Sequence, residues 1–94
     1  MARVELLSKR SIDPSLAGTG WTYLEGELIR VVRRDDFAAA LEFVVAVGAI
    51  ADPLGHHPDI DIRWNTVTLR LRTHSMGGVT DADLVLARAL TPLC

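Results

Sequence analysis

Cysteine is almost absent from this chain, and its scarcity excludes a fold held by disulfides. The single cysteine, Cys94, has no partner within the chain, so nothing indicates an oxidising compartment and we expect a cytoplasmic location. No serine or cysteine lies in a nucleophile motif, and no glycine-rich phosphate loop follows a predicted strand. These absences argue against covalent catalysis and against nucleotide binding.

A large excess of charge and a long apolar run are also missing. The formal net charge is −2, whereas nucleic-acid binding usually requires a strongly basic face, so we expect no nucleic-acid partner. The longest apolar stretch, 37–51, contains Glu42 and is shorter than the roughly 20 residues that cross a bilayer. Near the amino terminus, Glu5, Lys9 and Arg10 interrupt any signal-like segment. We therefore expect neither a membrane span nor an export signal.

What is present suits one globular domain. The chain has 94 residues, of which 49% are hydrophobic and 23% charged, and it contains no internal repeat or low-complexity segment. We expect a single domain over residues 1–94.

Hydrophobic spacing predicts the elements at both ends of the chain. A short helix is predicted between Met1 and Gly20, where Pro14 interrupts the pattern. The stretch WTYLEGELIRVV has β-branched and aromatic residues on both sides of Gly26, which predicts a tight hairpin. A capping-box-like start at Thr80 predicts a final helix that ends before Pro92.

The central helix is predicted from the aspartates at 35 and 36 to a stop at Pro53. It is apolar on two nearly opposite sides, which predicts burial on both. One stripe can cover a sheet, and we expect a subunit interface or a neighbouring helix over Phe43 and Ile50. The two stripes are Phe37, Leu41, Val44, Val45 and Gly48, and Ala39, Phe43, Ala46 and Ile50.

A second hairpin is predicted where apolar residues alternate over 60–64 and 67–71. A two-residue loop at Asn65-Thr66 would pair Trp64 with Val67 and place six apolar side chains on one face. Extended backwards, this register brings His57 opposite His74. The fold class is therefore predicted to be α+β, a four-stranded antiparallel sheet with helices on one face in the order α-β-β-α-β-β-α.

Polar residues that transfer protons or bind ligands cluster around the second hairpin. Histidine ionises near neutral pH, so a group of histidines can supply both an acid and a base without a cofactor. Zinc or iron binding is the less favoured alternative, because neighbours on an extended chain point to opposite faces. For Asp83, a helix-capping role is the alternative to a site role. The candidate residues are Asp52, His56, His57, His74 and Asp83.

The spacing of these residues resembles the signature of the pterin-4a-carbinolamine dehydratases. That signature is an acidic residue, three positions, His-His-Pro, an aromatic residue, a histidine ten positions later and a downstream aspartate. The stretches THSMGGVTDAD and GWTYLEGELIRVV are also similar to the family. The signature positions are filled by Asp52, His56, His57, Pro58, Trp64, His74 and Asp83.

The resemblance implies a hydro-lyase that converts 4a-hydroxytetrahydrobiopterin into quinonoid dihydrobiopterin, without a metal or other cofactor. It implies that His57 and His74 are the acid and the base, in an order left open, and that His56 orients the ring. It also implies that the substrate is bound by Asp52, Thr73 and Asp83.

The resemblance implies a homodimer or homotetramer, with an aromatic amino acid hydroxylase as a pathway partner. Ile60 and Ala82 depart from some relatives, which have an aromatic and a basic residue there. Two alternatives remain open at this point. One is a non-catalytic oligomerisation module, and the other is action on another pterin, including one in molybdenum-cofactor metabolism.

Overall fold

The computed structural model describes residues 5–94 and contains one antiparallel sheet with helices on one of its faces. The first 3₁₀ turn, His74–Met76, precedes the last helix, and the second, Thr91–Leu93, follows it. The predicted fold class and element order are confirmed. The helices and strands are α1 (Lys9–Leu16), β1 (Thr22–Leu24), β2 (Glu27–Arg33), α2 (Phe37–Leu54), β3 (Asp59–Arg63), β4 (Thr66–Leu71) and α3 (Asp81–Leu90).

Burial along the central strands identifies the covered face of the sheet. The strands lie in the order β1-β2-β4-β3. Successive side chains of a strand point to opposite faces, and Val31 and Arg70 are exposed on the open one. The buried side chains of β2 and β4, which face the helices, are Leu28, Val32, Val67, Leu69 and Leu71.

The amino-terminal helix and the first hairpin agree with their predictions. Pro14 lies inside α1 near its carboxyl end, and the helix continues past it to Leu16. The part of the predicted range before Glu5 lies outside the described residues. Glu25 and Gly26 form the turn that joins β1 to β2, and Leu24 pairs with Glu27.

The register predicted for the second hairpin is wrong by two residues. The loop is Trp64-Asn65, and the first pair beyond it is Arg63 with Thr66, followed by Ile62 with Val67. Trp64 has φ +55 and projects from the loop with 67% of its surface exposed, so it leaves the apolar face. This register does not bring His57 opposite His74, since the ladder ends at the pair of Asp59 and Arg70 and His74 lies in a 3₁₀ turn.

Hydrogen bonds from the neighbouring strand fix this loop. The Arg34 backbone N–H donates to the Asn65 carbonyl at 2.9 Å, and Asn65 Nδ2 donates to the Arg34 carbonyl at 2.9 Å. Because Asn65 is held beside the end of β2, the turn falls one residue earlier than the alternation of apolar residues suggests.

The predicted start of α2 is confirmed, whereas its predicted stop is wrong. Asp36 is the N-cap, and its carboxylate accepts a hydrogen bond from the Ala39 N–H at 2.8 Å. The helix continues through Pro53 to Leu54 and ends because Gly55 adopts a left-handed conformation with φ +66. This left-handed glycine turns the chain out of the helix and into the loop that carries His56 and His57.

Of the two coverings predicted over Phe43 and Ile50, the burial pattern agrees with contacts within the chain, where α3 lies against α2. The face that packs on the sheet contains Phe43, and Ile50 also packs against the core. Small residues such as Ala40 and Ala51 allow the helix backbone to approach the sheet on this side. The opposite side leaves an apolar stripe exposed, which we define as Phe37, Leu41 and Val45, with exposures of 45%, 41% and 72%.

By length and composition, α2 is the one helix among residues 5–94 that reaches the threshold for a membrane span. In this structure, one side of the helix packs on the sheet through Ala40, Phe43, Val47 and Ala51. The other side carries the exposed stripe.

Candidate functional site

Three segments meet at one end of the sheet and carry the residues singled out in the sequence. The first is the last turn of α2 with the loop after it, the second follows β4, and the third is the first turn of α3. Each contributes polar side chains whose partners lie on the same or a neighbouring segment. The first segment carries Asp52, His56 and His57, the second carries Thr73 and His74, and the third carries Asp83.

His56 is bound by a buried carboxylate. His56 Nε2 lies 2.5 Å from Asp83 Oδ1, and the Asp83 side chain is fully buried. The other carboxylate oxygen, Oδ2, accepts hydrogen bonds from the Thr80 N–H at 2.9 Å and the Thr73 hydroxyl at 2.8 Å. The capping box predicted at Thr80 is confirmed, and its aspartate reaches His56 as well. Asp83 therefore caps α3 and also contacts His56.

The segment between β4 and α3 is closed by its own hydrogen bonds. The Thr73 N–H donates to the Gly78 carbonyl at 2.8 Å, and the Thr73 and Thr80 hydroxyls are 2.7 Å apart. His74 begins the 3₁₀ turn inside this closed segment. The arrangement keeps Thr73 turned toward α3 and His74 turned toward solvent.

The other two histidines form more exposed pairs with aspartates. His57 Nε2 is 3.0 Å from Asp52 Oδ1, and His74 Nε2 is 3.5 Å from Asp59 Oδ2. The His57 and His74 side chains are 61% and 68% exposed, so each pair is accessible from solvent. A carboxylate on one ring nitrogen orients an imidazole and leaves the second nitrogen able to donate or accept a proton. The site can thus support acid and base chemistry.

The sequence analysis missed two contacts of this cluster. One is the pairing of Asp59 with His74, and the other is the hydrogen bond between the Thr80 and Thr73 hydroxyls. Asp59 follows directly after His-His-Pro and begins β3, so its place beside the histidines was the available signal. Its contact with His74 depends on how the segment after β4 turns, which strand alternation does not specify. For Thr80, the only signal in the sequence was the capping box, which does not indicate a hydrogen bond to Thr73.

The aromatic position of the signature lies away from the histidines. Trp64 is at the far end of β3 from Asp59, and five residues of strand separate them by roughly 15 Å. Of the two departures, Ile60 is 40% exposed and pairs with Leu69, while Ala82 is exposed in the first turn of α3.

Metal ligation and thiol chemistry find little support in the described part of the chain. Residues 5–94 hold no group of three or more histidine, cysteine, aspartate or glutamate side chains placed to bind a metal ion. Burial raises the pKa of the Cys94 thiol, although the Arg30 and Arg34 side chains lower it. A raised pKa reduces the thiolate fraction at neutral pH, which makes Cys94 a poor nucleophile.

Comparison with known proteins identifies the family. Residues 5–93 match the family model described as pterin 4 alpha carbinolamine dehydratase. The chain belongs to the pterin-4a-carbinolamine dehydratase family. Its relatives include a Nocardia farcinica protein, provisionally named a pterin-4-alpha-carbinolamine dehydratase, which is 47% identical over 90 residues, or 95% of each chain. The resemblance inferred from the sequence is confirmed.

Solved structures carry the same pterin-4a-carbinolamine dehydratase fold. A protein described as a transcriptional coactivator/pterin dehydratase from Brucella melitensis has a TM-score of 0.86 and 28% identity, over 95% of this chain and 98% of that one. A pterin dehydratase-like protein described as a RuBisCO assembly factor in the alpha-carboxysome has a TM-score of 0.61 and 20% identity, over 78% and 84%. The second likeness is one of fold alone.

Proposed function

We propose that this chain is a hydro-lyase that converts 4a-hydroxytetrahydrobiopterin into quinonoid dihydrobiopterin and water, in support of tetrahydrobiopterin recycling in the cytoplasm. Membership of the family supports a pterin carbinolamine as the substrate. The observation that carries the proposal is that three histidines at one end of the sheet each lie beside a different aspartate. An aromatic amino acid hydroxylase would supply the substrate.

The reaction requires two proton transfers. A proton must reach the 4a-hydroxyl so that it leaves as water, and a ring N–H proton must be removed so that the C=N bond forms. One imidazolium and one neutral imidazole within hydrogen-bond reach would each contribute roughly 10²- to 10⁴-fold in rate. Neither transfer changes the oxidation state of the protein, and neither requires a covalent intermediate.

The exposed pairs supply the acid and the base in this proposal. His57 and His74 have accessible rings, so both can approach a bound pterin, whereas His56 is largely buried against Asp83 and orients the ring. Asp52 is 83% exposed and can accept hydrogen bonds from the pterin amino and ring N–H groups. Thr73 and Asp83 border the same site, although their hydroxyl and carboxylate are engaged by hydrogen bonds within the chain.

Stopped-flow absorbance tests the proposal by following the decay of a 4a-hydroxytetrahydropterin, with a chelator present, for wild type and two variants. We expect His57→Ala and His74→Ala each to lose about 10²-fold or more in rate while keeping wild-type circular dichroism. Ser75→Ala, an exposed change beside His74, is the matched control and should keep the wild-type rate. Wild-type rates in both histidine variants would contradict these roles.

A non-catalytic interaction module is the second candidate. The exposed stripe on α2 favours it, because contiguous apolar surface commonly marks a protein interface. The same stripe supports our proposal that the chain forms a homodimer or homotetramer. If wild type accelerates no pterin dehydration, including that of pterins from molybdenum-cofactor metabolism, the interaction role replaces the enzymatic one.

A further inference from the structure

A row of hydrogen-bonded polar side chains runs from Thr80 to His56. Its first member, Thr80, is not among the residues assigned to the site. Thr80 and Asp83 are 1% and 0% exposed, and Thr73 lies between them on the segment that follows β4. Buried polar groups cost stability unless they are hydrogen-bonded, so such a cluster persists when its members satisfy one another. The members of this cluster are arranged in a line that ends at His56.

The number of hydroxyl protons determines which group is the donor in each of these hydrogen bonds. Each threonine hydroxyl has one proton to donate. The Thr73 hydroxyl donates to Asp83 Oδ2 at 2.8 Å, so in its 2.7 Å contact with Thr80 it must act as the acceptor. The Thr80 hydroxyl therefore donates to Thr73, and Thr73 donates to Asp83.

The same counting fixes the proton on His56. Asp83 Oδ2 already accepts from Thr73 and from the Thr80 N–H, while Oδ1 lies 2.5 Å from His56 Nε2. A carboxylate that accepts at both oxygens requires a proton on Nε2. In neutral His56 the unprotonated nitrogen is then Nδ1, which makes no hydrogen bond to any residue in 5–94.

We propose that Thr80 is a positioning residue for the acid and base chemistry of this site. It acts through Thr73 and Asp83 to keep His56 in the Nε2–H form, with Nδ1 able to accept a hydrogen bond from the substrate. The inference rests on the proposed dehydratase function. A purely helix-capping Thr80 would need only its oxygen as an acceptor, whereas this role also needs its hydroxyl proton.

Variants at Thr80 and Thr73 together separate the two roles, because Thr80→Val removes both the cap and the hydroxyl proton, whereas Thr73→Val leaves the cap in place. Thr80→Val keeps the shape and removes the hydroxyl, and Thr80→Ser keeps the hydroxyl. We expect Thr80→Val to lower kcat roughly 10- to 100-fold with KM nearly unchanged, and Thr80→Ser to restore kcat, as for other residues that orient a functional group through hydrogen bonds. Ser8→Ala removes the N-cap of α1 and is the control for lost capping, with an unchanged kcat expected.

Nitrogen-15 NMR of the His56 ring gives a readout that needs no substrate. Without the Thr80 hydroxyl, the Thr73 hydroxyl is no longer held toward Asp83, and the carboxylate can rotate away from His56 Nε2. We therefore expect a mixture of tautomers in Thr80→Val, and a single Nε2–H tautomer in wild type and in Thr80→Ser. Thr73→Val removes the hydrogen bonds from Thr73 to Thr80 and Asp83 and leaves the N-cap of α3 in place. It therefore replaces Thr80→Val if that variant does not fold. The same loss of kcat and of the single tautomer is expected there.

The two readouts distinguish the possible failures. An active wild type whose Thr80→Val variant keeps both kcat and the single tautomer overturns the positioning role. A wild type with no dehydratase activity overturns the proposed function and, with it, a catalytic purpose for Thr80, even where the tautomer responds as expected.

Discussion

At the scale of single residues, Arg30 and Gly20 depend on each other. Arg30 lies on the covered face of β2, and its guanidinium donates to the Thr19 carbonyl directly over Gly20. A Cβ at Gly20 would collide with that guanidinium, and Gly20 has φ +82. We expect Gly20→Ala to lower the free energy of unfolding by about 2 to 3 kcal/mol, from left-handed strain plus loss of the Arg30 contact.

Gly18→Ala is the matched control for this prediction. Gly18 has φ +76, but an added Cβ would meet no atom within 4 Å, so only the strain of about 1 to 2 kcal/mol applies. Urea denaturation of both variants measures the difference. Equal losses would show that Arg30 does not pack on Gly20 in solution.

Trp64 shows why the second hairpin could be predicted only in part. The sequence was sufficient to predict two strands and their alternation, because side-chain parity follows directly from apolar spacing. It did not predict the loop, because a bulky aromatic residue seldom adopts φ +55 and Asn65 is the more usual turn residue. The contacts that hold Asn65 come from Arg34, which follows directly after β2 and lies more than thirty residues earlier in the chain.

At the scale of elements, the N-cap of α2 is the feature most open to a direct test. Asp36 accepts a hydrogen bond from the Ala39 N–H, whereas Asp35, one residue earlier, is not the N-cap. We expect Asp36→Ala to cost about 1 kcal/mol and Asp35→Ala less than half of that. Thermal unfolding followed by circular dichroism compares the two. A larger loss for Asp35→Ala would mean that the helix begins one residue earlier.

The candidate site was predictable at the level of residues and less so at the level of contacts. The spacing of histidines and aspartates, together with the family resemblance, led us to propose Asp52, His56, His57, His74 and Asp83 as site residues, and the structure places them at one end of the sheet. The partner of each histidine depends on where Gly55 redirects the chain after α2 and on how 73–80 folds back toward α3. These are tertiary contacts between loops, and hydrophobic periodicity carries no information about them.

At the scale of the whole molecule, we propose that a second copy of this chain covers the exposed stripe on α2. The sequence predicted two apolar stripes and a contact over one of them, but the buried face of α2 shares only Phe43 with those stripes. Phe37, Leu41 and Val45 remain exposed along one side of an 18-residue helix. Exposed apolar surface of this kind favours association.

Substitution by lysine at matched valines tests this assembly. Val45 on the stripe and Val31 on the open face of the sheet are 72% and 58% exposed, so neither change disturbs the core. We expect sedimentation velocity to show a dimer or tetramer for wild type and Val31→Lys, and a monomer for Val45→Lys with unchanged circular dichroism. Dissociation by Val31→Lys alone would assign the interface to the sheet. A monomeric wild type that floats with lipid vesicles would mean that α2 contacts a membrane, because lipid would then cover the stripe in place of a second copy.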